Sequence, residues 1–597
     1  MSGEYPVVAA IDFGTHGSGY AWTVVSEDDR EASQRKIWYQ DRWPEGGHSA
    51  YPKTLSALLL DANGETVAWG HAARREWQEL GGNGEREGHT YAAAFKMALA
   101  PQHYGGGVVP GLGPVGVDSP GKARSLIVAY LREIFRVALE GIMKSGYHLE
   151  DIRWCLTVPA IWDEAQKELM LEAAAEAGLP ADGDQLLLAI EPEVAALHCQ
   201  VHLANVVGAD PRRLDVTRAD QRFMVVDCGG GTVDITAHRA ERGPGGAVRL
   251  REIARPLGDR LGSEYVNQAF VRTVLTDRLG DRTIARLCEE SEHSLFELVG
   301  EWEYWKVMAD VEVEPRSGSP RFKRRVSLTV SAELSDMLDE ETKRHLEEYP
   351  GGSRHRILVE PKEVEAVFDE IVEQILALVD QQLDEMRRTV GESSEPEQIL
   401  LVGGMARSDY LRHRIALHVQ GRAQVLTPPD PASAVLFGAV HFAYDPSVIR
   451  ARRARHTYGC ASSMPFEKGW DPEAKRFEDD SGETLCAERF SVFVTNNQEV
   501  EAGETVERVF HPTKRDQSSL LFGLYRTREK SPRYVDEPHC KKIGEVEIDI
   551  SDSMHMLFED RKILLRMSFG DTHIKVEAIN LRTNRTTSTD VRFHSVY

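Results

Sequence analysis

The apolar positions of the chain follow two rhythms. Val7 to Ile11 is a continuous apolar run, a glycine-rich turn follows, and Tyr20 to Val25 is again rich in β-formers, so the spacing predicts a β-hairpin. The pattern returns where Arg222 to Asp227 runs into Gly229, Gly230 and Gly231, with Thr232 to His238 as the returning strand. The aspartates that end the two leading strands, Asp12 and Asp227, lie 215 positions apart (227 minus 12), a spacing that suggests a duplicated lobe and not a short repeat.

Between the hairpins, Leu156 to Val158 reads as a strand ending at Pro159. Asp163 to Ala177 reads as a helix, with Asp163 as its N-cap and Gly178 as its stop. Glu191-Pro192 opens another helix with proline in the first turn. From Pro361 to Val390 apolar residues recur at helical spacing (Val364, Val367, Ile371, Ile375, Leu378) up to Gly391, and Ile399 to Val402 is a buried strand meeting Gly403-Gly404. After about Ala443 the character changes. A basic stretch, Arg450-Ala451-Arg452-Arg453-Ala454-Arg455, leads into short alternating strands, clearest in the pair Ile563 to Phe569 and Ile574 to Ile579 around Gly570-Asp571. Thr457 to Tyr597 therefore reads as a separate all-β module.

Composition narrows the partners. A chain of 597 residues exceeds one core, and its formal charge of -24, from 71 basic and 95 acidic side chains, argues against nucleic acid or an anionic membrane as the main partner. No apolar run is long enough to span a bilayer, and MSGEYPVVAAID opens straight into a strand, so a cytoplasmic setting is expected; the arginine cluster reads as a solvated connector, with a nuclear address as its other reading. The seven cysteines form no C-x-x-C pair and are expected to be reduced. His198, Cys199 and His202 could sit on neighbouring helical turns, but without a fourth ligand they read as packing residues and not as zinc ligands.

The chemistry lies in the turns. Backbone N–H groups hold phosphate where glycines let the chain turn tightly and come close. Each hairpin adds a strand-end carboxylate, Asp12 or Asp227, and a hydroxyl, Thr15 or Thr232; a magnesium ion bridging nucleotide phosphates prefers one or two carboxylates plus waters. A single D-x-G is a common turn former, whereas two at strand ends favour phosphate binding. Gly116 to Lys122 imitates a P-loop, but Ala123 replaces the Ser/Thr that such a loop needs and Pro120 removes a cradle N–H, so it reads as a surface loop.

IDFGTHGSGY, LTVPAIW, AIEPEVAALH, VVDCGGGTVDIT, ILLVGGMAR and DPASAVLFGAV stand in the order of the heat-shock 70-kDa (DnaK-type) chaperone ATPase, over about Val7 to Ala443. With the basic stretch, the FKMAL segment and the C-terminal strands, the chain looks most like the divergent heat shock 70 kDa protein 12 branch. The resemblance implies an α/β, actin-like (ribonuclease H-like) two-lobed domain over 1–445, with lobe I about 1–220, lobe II about 221–400 and a return to lobe I about 401–445. A basic linker 446–456 and a β-sandwich substrate-binding-like domain 457–597 would follow, with no room for the family's helical lid. By the same resemblance Asp12 and Asp227 would hold Mg2+ through water, while Gly14, Thr15, His16, Gly229, Gly230, Gly231 and Thr232 would face the phosphates of ATP or ADP. Glu191 would order a metal-bound or attacking water, and Lys96 would position the attacking water. Gly262, Ser263 and Glu264 resemble the loop near ribose and phosphate, with serine in place of the family's second glycine, and Lys306, Gly403, Gly404 and Arg407 resemble the adenosine pocket. Val307 stands at the family's second basic position beside adenine, which implies weaker clamping.

The expected function is a slow, Mg-dependent ATPase of the heat shock 70 type that couples nucleotide state to the binding of unfolded or extended polypeptide, with co-chaperones as further partners. Two other readings remain open on the sequence: a nucleotide-sensing scaffold with little turnover, and a small-molecule kinase on the same fold.

Overall fold

The computed structural model describes residues 5–26, 34–46, 50–83, 85–99, 119–180, 184–202, 220–243, 248–290, 292–391, 396–569 and 574–590. The chain is mixed α/β and divides into two compact units: Met1–Ile161, Met170–Ala240 and Pro256–Pro446 form one, and Trp162–Leu169, Glu241–Arg255 and Ser447–Tyr597 form the other.

In the first unit the strand Val7–Phe13 pairs antiparallel with Gly17–Val24 and parallel with Ile152–Val158, which in turn runs parallel to Leu186–Ile190. The second hairpin repeats the plan. Arg222–Cys228 pairs antiparallel with Val233–Arg242 and parallel with Gln398–Val402, next to Gln424–Leu426. A strand with a parallel neighbour is covered on both faces, which is why both leading strands are apolar almost without interruption. Their aspartates take equivalent places, one residue before the strand ends, with Asp12 opposite Gly19 and Asp227 opposite Asp234.

The helices follow their punctuation. Pro361–Val390 is a 30-residue helix that starts on proline, carries a reciprocal Glu360/Glu363 cap and stops at Gly391, whose φ of +106° suits glycine; Val364, Val367, Ile371, Ile375 and Leu378 form its buried stripe. Glu164–Ala177 is capped by Asp163, whose carboxylate accepts from the Gln166 backbone N–H at 3.2 Å while the Gln166 side chain accepts from the Asp163 N–H at 2.9 Å. The P-loop-like stretch differs from expectation: Pro120, Gly121 and Lys122 are the first turn of the helix Pro120–Met143, with Ser119 as N-cap, because proline at the first position suits a helix start; Gly116 to Asp118 lie outside the described residues. A small sheet of Thr66–Trp69, Ala57–Leu60 and Thr90–Ala93, backed by the helix Gly70–Asn83, has its own core around Leu59, Trp77 and Tyr91.

In the second unit two antiparallel sheets share one core. Thr457–Pro465, Thr484–Val494, Ser519–Thr527 and Lys541–Asp549 bring Tyr458, Phe493, Phe522 and Ile548, while Ile563–Ser568 and Lys575–Asn580 bring Ile563, Leu565, Met567 and Val576. The strands Ile563–Ser568 and Lys575–Asn580 pair antiparallel, with Ser568 opposite Lys575, and Thr586–Asp590 pairs on the far side of Lys575–Asn580; Gly570-Asp571 lies outside the described residues. No α-helix occurs among the described residues after 447. The basic stretch is not a solvated connector: Ile449–Arg453 is a strand, parallel to Leu250-Arg251 and antiparallel to Glu499–Glu501. Its arginines face carboxylates, with Arg453 3.1 Å from Glu499 and Arg450 3.4 Å from Glu241. All seven cysteines are free thiols, and no helix among the described residues is long and apolar enough to cross a membrane.

Candidate functional site

The turns of the two hairpins meet. A Cβ on Gly230 would stand 2.9 Å from the His16 Cβ, and one on Gly231 2.8 Å from the Thr15 hydroxyl, so the glycines let one turn lie directly on the other. Between them opens a cleft of about 320 Å3 lined by Asp12, Gly14, Thr15, His16, Lys96, Glu191, Asp227, Gly229, Gly230, Gly231, Thr232, Ser263, Lys306, Gly403, Gly404 and Arg407, a size within the range of small-molecule sites. Of the residues singled out in the sequence, Gly262 and Glu264 do not line it. They support it from behind: the backbone N–H groups of Gly262, Ser263 and Glu264 donate to the carbonyls of Gly231, Gly229 and Gly230 at 3.3, 3.0 and 3.0 Å.

Gly403 closes the second turn. Its φ is +90°, and a Cβ there would stand 2.4 Å from both Asp227 Oδ1 and the Cys228 carbonyl oxygen, so no side chain fits.

Three buried charges set the floor of the cleft. Lys96, in the short turn Phe95–Leu99 that follows Ala94 at a φ of +54°, donates to the Phe13 carbonyl at 2.5 Å and to Glu191 at 2.6 Å. Glu191 heads the helix Glu191–Val201; burial pushes its carboxyl up, Lys96 pulls it back, and the Asp12 and Asp234 carboxylates add to the upward push, so the net direction is upward. Asp227 is held well above the ordinary carboxylate range, first by burial and then by Glu191 and Asp234, with Lys53 opposing.

Lys53 was not legible in the sequence. Its ammonium lies 2.7 Å from Asp12 Oδ2, while the Thr157 hydroxyl donates to Asp12 Oδ1 at 2.9 Å. Burial works against the Lys53 charge, but Asp12, Tyr51 and Asp227 outweigh it and hold the ammonium above the usual lysine range. Nothing in Tyr51-Pro52-Lys53-Thr54 marks it, since a lone lysine in a short loop has neither periodicity nor motif.

On the far side Lys306 donates to Asn267 at 2.7 Å and to the Ser263 carbonyl at 3.1 Å; burial lowers its pKa, against the pull of Glu303 and Glu264. Burial opposes the Glu303 charge, yet His16, Lys306 and the Asn267 amide hold that carboxyl at about 2. Glu264 goes the other way, pushed up to about 7 by burial and by Glu303. Arg407 is exposed, with its guanidinium 5.9 Å from the Tyr51 ring, and Val307 lines the cleft beside Lys306. Carboxylates, ammonium groups, hydroxyls and glycine turns thus converge on one volume, a set suited to a phosphorylated ligand with a hard cation.

A family described as a domain of unknown function (DUF8340) matches residues 217–426, the stretch that carries Asp227, Ser263, Lys306, Gly403 and Arg407. The chain is 26% identical over 650 residues to heat shock 70 kDa protein 12A of Homo sapiens, covering 99% of this chain and 92% of that protein. It is 27% identical over 658 residues to heat shock 70 kDa protein 12B of Homo sapiens, again with 99% and 92% covered. A chaperone protein HscA homolog of Acidithiobacillus ferrooxidans is 28% identical over 237 residues, 40% of this chain and 31% of that protein. The resemblance to the heat shock 70 kDa protein 12 branch therefore runs along almost the whole chain.

Proposed function

We propose that this chain, similar from end to end to heat shock 70 kDa proteins 12A and 12B, is an ATP-binding, slowly ATP-hydrolysing chaperone-like protein with an actin-like two-lobed nucleotide site. The observation that carries the reading is the meeting of the two Asp-x-Gly turns over one cleft, with the Lys96–Glu191 pair on its floor.

The donor set fits Mg2+: Asp12 and Asp227 offer hard oxygen ligands, and the crowding that raises Asp227 in the bare site is relieved by a cation. When bound, Mg2+ would be held through water by Asp12 and Asp227 and would neutralise charge on the phosphates. The Thr15 and Thr232 hydroxyls and the backbone N–H groups of Gly230 and Gly231 face the phosphates, while the Gly14 and Gly229 N–H groups donate to the Ser18 hydroxyl at 3.2 Å and the Thr232 carbonyl at 2.9 Å and so hold the two turns in shape. Glu191 accepts a hydrogen bond from the attacking water and Lys96 fixes the position of both. Ser263, with Gly262 and Glu264 behind it, serves the ribose side; Lys306, Gly403, Gly404 and Arg407 serve adenosine, with Val307 weakening the clamp. Lys53 adds a cation to the phosphate end, and the all-β unit would take extended polypeptide by edge pairing and apolar pockets. The setting is cytoplasmic, and co-chaperones would act on the nucleotide cycle.

A second reading, a nucleotide sensor with little turnover, draws on one observation: Lys53 already pairs with Asp12 at 2.7 Å and competes with a metal for that carboxylate. Single-turnover ATP hydrolysis by the wild type and Asp227→Ala, with and without an unfolded peptide, separates the two. Loss of roughly 100-fold or more in Asp227→Ala supports the ATPase. Equal rates in the two proteins remove the catalytic assignment, and turnover indifferent to peptide favours the sensor.

A further inference from the structure

The helices Glu191–Val201 and Ala434–Tyr444 both start at the cleft, where Glu191 and Val435 line its wall. They then run in backbone contact: a Cβ on Gly438 would stand 1.8 Å from the Val194 carbonyl oxygen. One turn beyond that contact come His198 and His441, and one turn beyond His198 comes His202. The close crossing thus brings His441, which the sequence does not mark, to His198 and His202.

The three imidazoles present ring nitrogens that all lie within 4.8 Å of one another, with ring centroids 4.6 Å apart for His198 and His202 and 6.3 Å for His202 and His441. His441 is 4% exposed. Among the described residues its Nε2 and the Nδ1 of His198 are buried without a hydrogen-bond partner. Two such nitrogens in one buried cluster carry a desolvation cost with nothing returned. The opposite nitrogen of His441, Nδ1, meets Arg35 Nη1 at 3.3 Å.

We propose that His198, His202 and His441 form a three-imidazole site for a borderline divalent metal, zinc foremost, with water completing a tetrahedron. Imidazole suits zinc, and three protein ligands with one open position is a familiar zinc arrangement. With Zn–N bonds of about 2.0–2.1 Å the nitrogens of a tetrahedron stand about 3.4 Å apart, so the rings must close by no more than roughly 1.4 Å, within reach of side-chain rotation. Coordination through His441 Nε2 leaves the ring proton on Nδ1, so the Arg35 contact must release on loading. The metal would tie together two helices whose first turns form the cleft wall, and its binding does not depend on nucleotide.

The test uses the full chain without a polyhistidine tag, stripped with a chelator and titrated with Co2+ under visible absorption. One equivalent should give the intense band of tetrahedral cobalt, displaced by Zn2+. His202→Ala and His198→Ala should each weaken binding more than about 10-fold with the circular dichroism unchanged. Arg35→Met should bind at least as tightly as the wild type, and His345→Ala, on the exposed side of the helix Glu340–Glu348, should bind as the wild type does. Absence of a band at micromolar concentrations of protein and metal overturns the site, as does a band that survives both histidine variants. His202 ends its helix and is only partly buried, so its variant keeps the test decisive if His441→Ala does not fold.

Discussion

The two hairpins share motif, register and topology, yet their aspartates live in opposite electrostatic surroundings. Asp12 is answered from within the chain by the Lys53 ammonium and the Thr157 hydroxyl. Asp227 forms no ion pair among the described residues, and burial with the Glu191 and Asp234 carboxylates pushes it upward. A duplicated turn therefore fixes where a carboxylate stands but not what it does there. The chain completes one half of the site with its own cation and leaves the other half short of one, which is the half a metal–phosphate ligand would satisfy.

The largest effect is expected from breaking the second half where no side chain fits. Gly403→Ala puts a Cβ against Asp227 and Cys228 at a φ of +90°, and turnover should fall by roughly 100-fold or more; near-normal kinetics would mean the turn has room to shift. Asparagine at each position then separates the halves by sign. In nucleotide-free, chelated buffer Asp12→Asn leaves Lys53 buried without its carboxylate and should destabilise by about 3 kcal/mol. Asp227→Asn should stabilise. The folded pKa of Asp227 is raised above its unfolded value, so the ionised carboxylate costs stability at high pH and the cost vanishes as pH falls. The advantage of the asparagine variant should accordingly grow in thermal melts as pH rises above the ordinary carboxylate range, and a shift of the same sign for both variants would erase the contrast. The smallest effect concerns the adenosine side: Val307→Lys restores a basic flank and should tighten ATP by about 3-fold to 10-fold in equilibrium titration.

Much of this was legible because it rests on local rules. Pro361–Val390 announces itself by its apolar stripe between a proline and a glycine, and the hairpin strands by apolar runs that end in Asp-x-Gly. The basic stretch misled through composition, although Ile449-Arg450-Ala451-Arg452 alternates as a strand should, with Ile449 and Ala451 buried. Glu241 and Glu499, which receive its arginines, lie too far along the chain to be paired by eye. Lys53 and His441 were out of reach for the same reason: each acquires meaning only from a partner on another element, Asp12 for one and His198 with His202 for the other.

The central claim is that the two Asp-x-Gly turns act as halves of one Mg-ATP site, and the most direct measurement is calorimetric titration of ATP into the wild type and Asp227→Asn, each with Mg2+ and with chelator. The account predicts that Mg2+ tightens ATP binding to the wild type by about 10-fold or more and that this gain is lost in Asp227→Asn. Equal gains from Mg2+ in both proteins would contradict it.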